Sequence, residues 1–102
     1  MLQMRPSCEH CNQPLPGSSP EAMICSFECT FCRNCLEQHF ADVCPNCGGN
    51  LTQRPIRPAK NRRNGNFLGN SPASEDVVHR PKDLEEHRTF RGDIERINPT
   101  ER

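Results

Sequence analysis

The chain has 102 residues, of which 32% are hydrophobic and only 5% aromatic, with no tryptophan and no tyrosine. These proportions exclude a conventional hydrophobic core, because a chain that buries little apolar surface must offset its ordering entropy in another way. The formal net charge is zero, yet residues 1–50 carry −3 (five acids against two arginines) and residues 51–102 carry +3 (eleven basic against eight acidic residues). We therefore expect a compact head followed by a polar tail.

The first residues, MLQMRPSCEH, contain no apolar run of signal-peptide length and no small-residue cleavage site. No segment approaches the roughly 20 apolar residues that a bilayer-spanning helix needs. We therefore expect a soluble, cytoplasmic protein, in a compartment where thiols stay reduced. The chain has eight cysteines. A disulfide scaffold is the main alternative to metal binding for them, and a reducing compartment disfavours disulfides.

All eight cysteines lie in the head, in the order C-x2-C-x13-C-x3-C-x2-C-x2-C-x8-C-x2-C. A C-x2-C pair can place two thiolates on one ion, and two such pairs form a closed tetrahedral zinc site. Eight thiols therefore predict two zinc ions, with iron as an alternative metal for four thiolates. His10 and His39 lie near these cysteines and could each replace one as a ligand, but eight thiols suffice, so we expect both on the surface.

The spacing leaves two pairings open. Sequential pairing groups the first four cysteines on one ion and the last four on the other, that is, Cys8, Cys11, Cys25 and Cys29, then Cys32, Cys35, Cys44 and Cys47. Cross-braced pairing interleaves the two sites, with Cys8, Cys11, Cys32 and Cys35 at site 1 and Cys25, Cys29, Cys44 and Cys47 at site 2.

The ligand order from Cys8 to Cys47, with the proline of CPNC and the stretch FCRNCL before a short helix, resembles the RING finger. This resemblance favours cross-braced pairing. It implies a small α+β, metal-stapled fold of RING-like or treble-clef type, with a short β-hairpin and one short helix. Over the first sixty residues, the segments RPSCEHC, ICSFECTFC, CPNCGG and RPIRPA are also similar to a family of short bacterial proteins known as domain of unknown function 1272. That second resemblance implies a zinc-binding head and no assigned activity.

Local signals add detail to the head. The segments AMIC and ECTF predict a hairpin, and Asn34 is a candidate cap for a helix from about residue 35 to 42. We expect the small core to consist of Ile24, Phe27, Phe31, Leu36, Phe40 and Val43. Gly48 and Gly49 permit a turn in which backbone N–H groups point at thiolates. Residues 12–21, rich in proline, glycine and serine, predict a surface loop.

Ubiquitin-ligase activity, which many RING fingers have, is disfavoured at the positions where ligases differ from other members. His10 stands where an aliphatic residue is common, and His39 and Phe40 replace a tryptophan on the central helix. Gly48 follows the last ligand, where an arginine is common. Ligand spacing reports fold and not activity. A closed thiolate site cannot activate water, so we expect no enzymatic activity. Thiol redox sensing is a further, less favoured role.

Residues 54–63, RPIRPAKNRR, form a basic linker whose candidate nucleic-acid or partner contacts are Arg54, Arg57, Lys60, Arg62 and Arg63. No aromatic residue interleaves with them, so stacking of bases has no platform. An alternative follows from charge, because thiolate-rich zinc sites would make the head more negative. We hypothesise on that ground that RPIRPA folds back along the head or meets another subunit, with Ile56 as an apolar contact.

We thus divide the chain into a zinc-binding domain at 4–53, the basic linker at 54–63 and a tail at 64–102. The tail is expected to be largely disordered, with a short helix near 83–97 begun by Asp83. The favoured function is a non-catalytic zinc-binding module that contacts a protein partner. Nucleic-acid binding through 54–63 is the alternative.

Overall fold

The computed structural model describes residues 1–102, and its sheet has three short strands. Strand β1 (Ala22–Ile24) lies in the centre, with β2 (Thr30–Cys32) and β3 (Thr52–Gln53) antiparallel on either side. The β1–β2 hairpin is the one that the sequence predicts, and within it Met23 pairs with Phe31. The hairpin brings residues 25–29, which include two cysteines, to the end of the sheet.

Helix α1 begins directly after β2, at Arg33–Cys35, and continues as a wider π-helical turn over Leu36–Phe40. The predicted cap was wrong, because the sulfur of Cys32, and not the side chain of Asn34, accepts the hydrogen bond from the Cys35 N–H. The helix ends at Ala41, whose φ of 50° lies in the left-handed region. The chain is thereby turned toward the last cysteine pair.

The hydrophobic core is small and consists largely of sulfur-bearing residues. Among its 11 buried residues, five are cysteines. Phe31, Phe40 and Val43 are fully buried as predicted, and the Phe31 and Phe40 rings pack edge to face at 4.8 Å. The prediction for Phe27 was wrong, since its side chain is 70% exposed at the tip of the hairpin. A core this small is consistent with a fold that depends on bonds formed by its thiols.

The loop at 12–21 is only partly the surface loop that the sequence predicts. Leu15 is fully buried in the core. The side chain of Arg54 binds this loop by hydrogen bonds. The Arg54 guanidinium donates to the carbonyls of Leu15 and Pro16 at 3.1 and 3.0 Å, and to that of Arg5 at 2.9 Å. One arginine beyond the last cysteine therefore ties together three points of the head.

The tail at 64–102 lies back along the head, whereas composition predicts a largely disordered segment. Helix α2 (Leu84–Ile94) falls within the predicted range 83–97, and the Asp83 carboxylate caps it by accepting from the N–H groups of Glu85 and Glu86. A single 3-10 turn, Pro99–Glu101, follows. No helix of the structure has both the length and the apolar character needed to cross a membrane.

Candidate metal centre

Four cysteines from three parts of the head form the first thiol group. Cys8 and Cys11 lie in one turn near the N-terminus, Cys32 ends β2, and Cys35 lies in the first turn of α1. All four sulfur atoms lie within 4.8 Å of one another. The fold therefore gathers four possible ligands for a single ion.

The distances between these sulfur atoms fit coordination better than disulfide bonding. Cys8 Sγ lies 3.8 Å from Cys35 Sγ, and Cys11 Sγ lies 3.7 Å from Cys32 Sγ. A disulfide needs about 2.05 Å, and all eight thiols are free. Four sulfurs placed about 2.3 Å from a tetrahedral Zn²⁺ would be separated by about 3.8 Å. The first group thus has the dimensions of a four-sulfur metal site.

The second group contains Cys25, Cys44 and Cys47, whose sulfur atoms also lie within 4.8 Å of one another. Cys29 lies outside that limit but close to Cys25, and the Cys29 carbonyl accepts from the Cys25 N–H at 3.2 Å. Burial raises the pKa of the Cys29 thiol, a hydrogen bond with Asn46 opposes this shift, and the Cys25 thiol raises the pKa further. The structure thus brings together three of the four cysteines predicted for site 2, and Cys29 stays the predicted fourth.

The two groups interleave along the chain, as cross-braced pairing requires. The first group takes its members from before and after the hairpin that carries Cys25 and Cys29. The sequential set, with Cys8 and Cys11 beside Cys25 and Cys29, is not brought together. Because β2 and α1 contribute to one group while β1 leads into the other, we expect the loss of one group to loosen the other.

Backbone N–H groups point at the sulfurs in both groups. Such donors stabilise the negative charge of thiolates and orient them toward a metal. The prediction for the glycine pair is confirmed, since Gly49 N–H donates to Cys47 Sγ at 3.3 Å after a turn in which Gly48 has φ +80°. The other three bonds run from Phe27 N to Cys25 Sγ (3.3 Å), from Cys35 N to Cys32 Sγ (3.4 Å) and from Asn46 N to Cys44 Sγ (3.4 Å).

Burial raises the pKa of four of these thiols, those of Cys29, Cys32, Cys35 and Cys44. It raises the pKa of Cys35 and of Cys44 well above the usual range, with neighbouring thiols adding to the shift. The exposed Cys11 differs. Burial alone would raise its pKa, but hydrogen bonds from the Gln13 backbone and from neighbouring thiols outweigh this effect and lower it. Cys11 therefore deprotonates more readily than Cys32 and Cys35, whose pKa values burial raises.

Glu9 connects the two thiol groups, and the sequence reasoning missed it. Its carboxylate is only 2% exposed and accepts from Thr30 N at 2.6 Å, Arg5 Nη1 at 2.7 Å and Asn46 Nδ2 at 3.4 Å. It thereby joins the Cys8–Cys11 turn to β2 and to the Cys44–Cys47 turn. The only sequence signal was an acidic residue between two ligands, with a basic residue four positions earlier.

Neither histidine named in the sequence analysis belongs to a thiol group. His10 Nδ1 accepts from the backbone N–H of Lys82 at 2.9 Å, and its ring packs against the edge of Phe40 at 5.6 Å. His39 packs against His10, also at 5.6 Å. Burial lowers the pKa of His10, and the neighbouring His39 lowers it further. These imidazoles form part of a tail-covered surface.

The basic linker does not present its five cationic residues as one strip. Arg54 is 1% exposed and faces the head interior, so its guanidinium is not on the surface as a contact for nucleic acid would need to be. Arg57 is half-buried and donates to the carbonyls of Leu2 and Ser71. These two arginines therefore fold back along the head as hypothesised, although they bind neutral carbonyls and not thiolates. Ile56, the expected apolar contact, is 47% exposed. The exposed cations of the linker are Lys60, Arg62 and Arg63.

Comparison with known proteins gives a family but no activity. The family described as "Protein of unknown function (DUF1272)" matches residues 1–57, which contain both thiol groups. An uncharacterized protein of Rhizobium meliloti (strain 1021) is 49% identical over 82 residues, covering 80% of this chain and 90% of the relative. No solved structure matches the chain. The geometry of the head is thus the main source for a functional interpretation.

Proposed function

The chain belongs to the DUF1272 family, and we propose that its head is a non-catalytic module that binds two zinc ions and contacts another protein. The single observation that carries the metal proposal is the four-sulfur group of Cys8, Cys11, Cys32 and Cys35, with mutual separations within 4.8 Å. The N–H donors aimed at sulfur support the same proposal for both groups.

The second zinc ion would be held by Cys25, Cys44 and Cys47, with Cys29 as the fourth ligand. Zinc bound by thiolates supplies folding free energy and fixed geometry. The chain's own residues do the remaining work. Glu9 fixes the two cysteine turns relative to one another, and the N–H donors hold the sulfurs in place before a metal arrives. In this view the RING-like, cross-braced arrangement is a scaffold.

The non-catalytic part of the proposal depends on the ligand set. Four thiolates fill a tetrahedral ion and leave no position for water or substrate. Glu9, whose hydrogen bonds connect the two cysteine turns, is engaged in three hydrogen bonds and is almost completely buried. A scaffold whose turns are fixed by hydrogen bonds is suited to protein recognition, so a protein partner is favoured over nucleic acid.

Nucleic-acid binding remains the second candidate, now restricted to Lys60, Arg62 and Arg63. These three residues are exposed and none is engaged in an ion pair. Replacing all three by glutamine should abolish any salt-dependent binding to RNA or DNA. Replacement of three exposed arginines of the tail by glutamine, at Arg80, Arg88 and Arg96, is the charge-matched control. Binding that is equal in both variants would remove this candidate.

Metal content is tested on the full chain purified under reducing conditions. We expect native mass spectrometry and elemental analysis to give two zinc ions per chain. Finding iron in place of zinc would change the identity of the proposed metal, and a folded chain without metal would overturn the proposal. A pull-down from the source organism after nuclease treatment tests the partner class, since a protein partner survives that treatment.

Redox sensing is tested in the same preparation. Peroxide oxidises two thiolates to a disulfide, is itself reduced to water, and would release the bound ion. Cys11, exposed and with a lowered pKa, is the thiol expected to react first. Zinc release that leaves partner binding unchanged would exclude a sensing role.

A further inference from the structure

The end of the tail covers one continuous face of the head. We call this the covered face and define it by His10, His39, Phe40, Val43 and Gly48, contributed by both cysteine turns and by the end of α1. Helix α2 and the residues around it lie across this face. The family match ends at residue 57, so the face lies within the matched region and its cover lies outside it.

Hydrogen bonds across the covered face all run in one direction, from tail donors to head acceptors. Arg91 Nη1 donates to the His39 carbonyl at 2.7 Å, and His87 Nε2 bonds to the Val43 carbonyl at 2.8 Å, which requires the tautomer protonated at Nε2. Arg102 Nη1 donates to the carbonyls of Asp42 and Gly48 at 3.0 and 3.2 Å. The face is therefore a set of main-chain carbonyls that favours cationic donors.

Lys82 extends this pattern toward the last cysteine turn. Its Nζ donates to Asn46 Oδ1 at 2.8 Å, and its backbone N–H donates to His10 Nδ1. The proposed thiolate sites lie directly beneath these two turns and would add negative charge. Electrostatic complementarity of this kind selects for a basic partner and fixes its orientation.

Apolar contacts complete the interface along one side of α2. Phe90 and Ile94 lie over Gly48, where an added Cβ would come within 3.3 Å of the Phe90 ring and 3.7 Å of Ile94. The buried His87 ring packs against Phe40 at 5.1 Å, and Leu84 packs against the core. Spacings of three and four residues place these side chains on one face of the helix.

Helix α2 depends on this contact for its own stability. It has 11 residues and contains Gly92, and isolated helices of that length are marginal in water. Residues 58–78, which connect it to the head, contain no helix or strand. A short helix on a long connection can leave a surface without unfolding the head.

We propose that the covered face is a docking site for an amphipathic helix of a partner protein that presents cationic donors to these carbonyls, and that α2 is an internal competitor for this site. The inference rests on the proposed metal-bound scaffold and deepens the proposed role in protein contact. The contacts of α2 define the partner. It needs apolar or aromatic side chains at the positions of Leu84, Phe90 and Ile94, and ring and guanidinium donors at those of His87 and Arg91.

The test uses the full chain with a specific protease site inserted between Glu75 and Asp76, both exposed. After cleavage the fragment that begins at Asp76 is removed from the head, a fluorescent peptide of residues 79–102 is added, and its binding to the head is measured by anisotropy. We expect saturable binding that a peptide with Phe90→Ala or His87→Ala loses by about tenfold or more, as for truncation of a central interface residue. An Arg88→Ala peptide, changed on an exposed residue of α2, should bind as the wild type does.

A second peptide tests whether the contact residues of α2 are sufficient for binding without the rest of its sequence. A helical peptide that keeps only the residues at 84, 87, 90, 91 and 94, on an otherwise changed sequence, should bind, and its Arg91→Glu version should not. Equal binding of this peptide and its Arg91→Glu version would overturn the claim that the carbonyls of the covered face select cationic donors. Failure of the wild-type peptide to bind a cleaved head that retains both metals would overturn the proposal as a whole.

Two further readouts keep the outcomes distinct. Metal analysis of the cleaved head reports on the proposed function independently, because loss of metal there contradicts the scaffold and not the docking site. The mass of the uncleaved chain in solution reports on self-association. A dimer in which the copies exchange α2 would make a second copy the occupant and would overturn the proposal of a separate partner.

Discussion

Cys8 and Cys35 are separated by 27 positions, yet their sulfur atoms lie 3.8 Å apart. This contact joins a residue before the β1–β2 hairpin to a residue after it, and the hairpin itself carries Cys25 of the other thiol group. Loss of either cysteine should therefore affect both groups, and not only its own.

The first prediction concerns this coupling. Cys35→Ser and Cys25→Ser, one in each group, should each abolish the cooperative thermal transition of the head, because interleaved sites share β1, β2 and α1. Calorimetry together with metal stoichiometry provides the measurement. A variant that keeps one ion and half of the native NMR dispersion would instead indicate two independent sites.

The second prediction concerns pH. Burial raises the pKa of the Cys35 and Cys44 thiols, so these groups keep their protons at neutral pH without a metal. Zinc must displace those protons, and its apparent affinity should therefore increase as pH rises. Chelator competition at several pH values measures the affinity, and calorimetry in buffers of different ionisation enthalpy counts the protons released. An affinity independent of pH would contradict thiolate ligation.

The third prediction concerns Glu9. Glu9→Gln keeps the shape but removes the charge that Arg5 and the Thr30 N–H contact, and should lower the free energy of unfolding by about 1–3 kcal/mol. Denaturant titration of the metal-loaded protein measures the loss. Glu21→Gln is the control, since its ion pair with Arg33 is exposed and should contribute less than about 1 kcal/mol.

The fourth prediction separates two arginines of the basic linker. Arg54→Lys should destabilise the head by about 2–4 kcal/mol, because an ammonium cannot reach the three carbonyls that the guanidinium contacts and its charge stays buried. Arg62→Lys, at an exposed position, should change stability by less than about 0.5 kcal/mol. Equal effects in thermal melts would mean that Arg54 is not a structural residue.

The fifth prediction compares two glycines. Gly92→Ala, in α2 with no atom within 4 Å of the added Cβ, should stabilise the docked helix by about 0.5–1 kcal/mol. Gly48→Ala should destabilise, because φ is +80° and the Cβ crowds Phe90. In the double variant Gly48→Ala with Phe90→Ala, the crowding of the added Cβ should be relieved, whereas the backbone strain at residue 48 should remain. Hydrogen exchange of the α2 amides measures the effect of Gly92→Ala, and denaturant titration measures the effect of Gly48→Ala.

The amino-acid sequence by itself determined the local features of the head. Cysteine spacing predicts the two thiol groups because ligands three residues apart share a turn, and the hairpin follows from segments that are adjacent in the chain. Phe31, Phe40 and Val43 are buried as expected. Ile24 and Leu36, each adjacent to a cysteine, are only partly buried, so adjacency to a ligand does not by itself place a side chain in the core.

Only the tertiary structure decided the features that depend on distant contacts. Glu9 is buried because Thr30 and Asn46 arrive from other elements, and Arg54 turns inward because the 12–21 loop presents carbonyls to it. The tail composition indicates disorder, yet α2 lies on the head because His39, Val43 and Gly48 offer acceptors that no local pattern reveals. A sequence window measures propensity within one segment, whereas burial and hydrogen bonding depend on which segments the fold brings together.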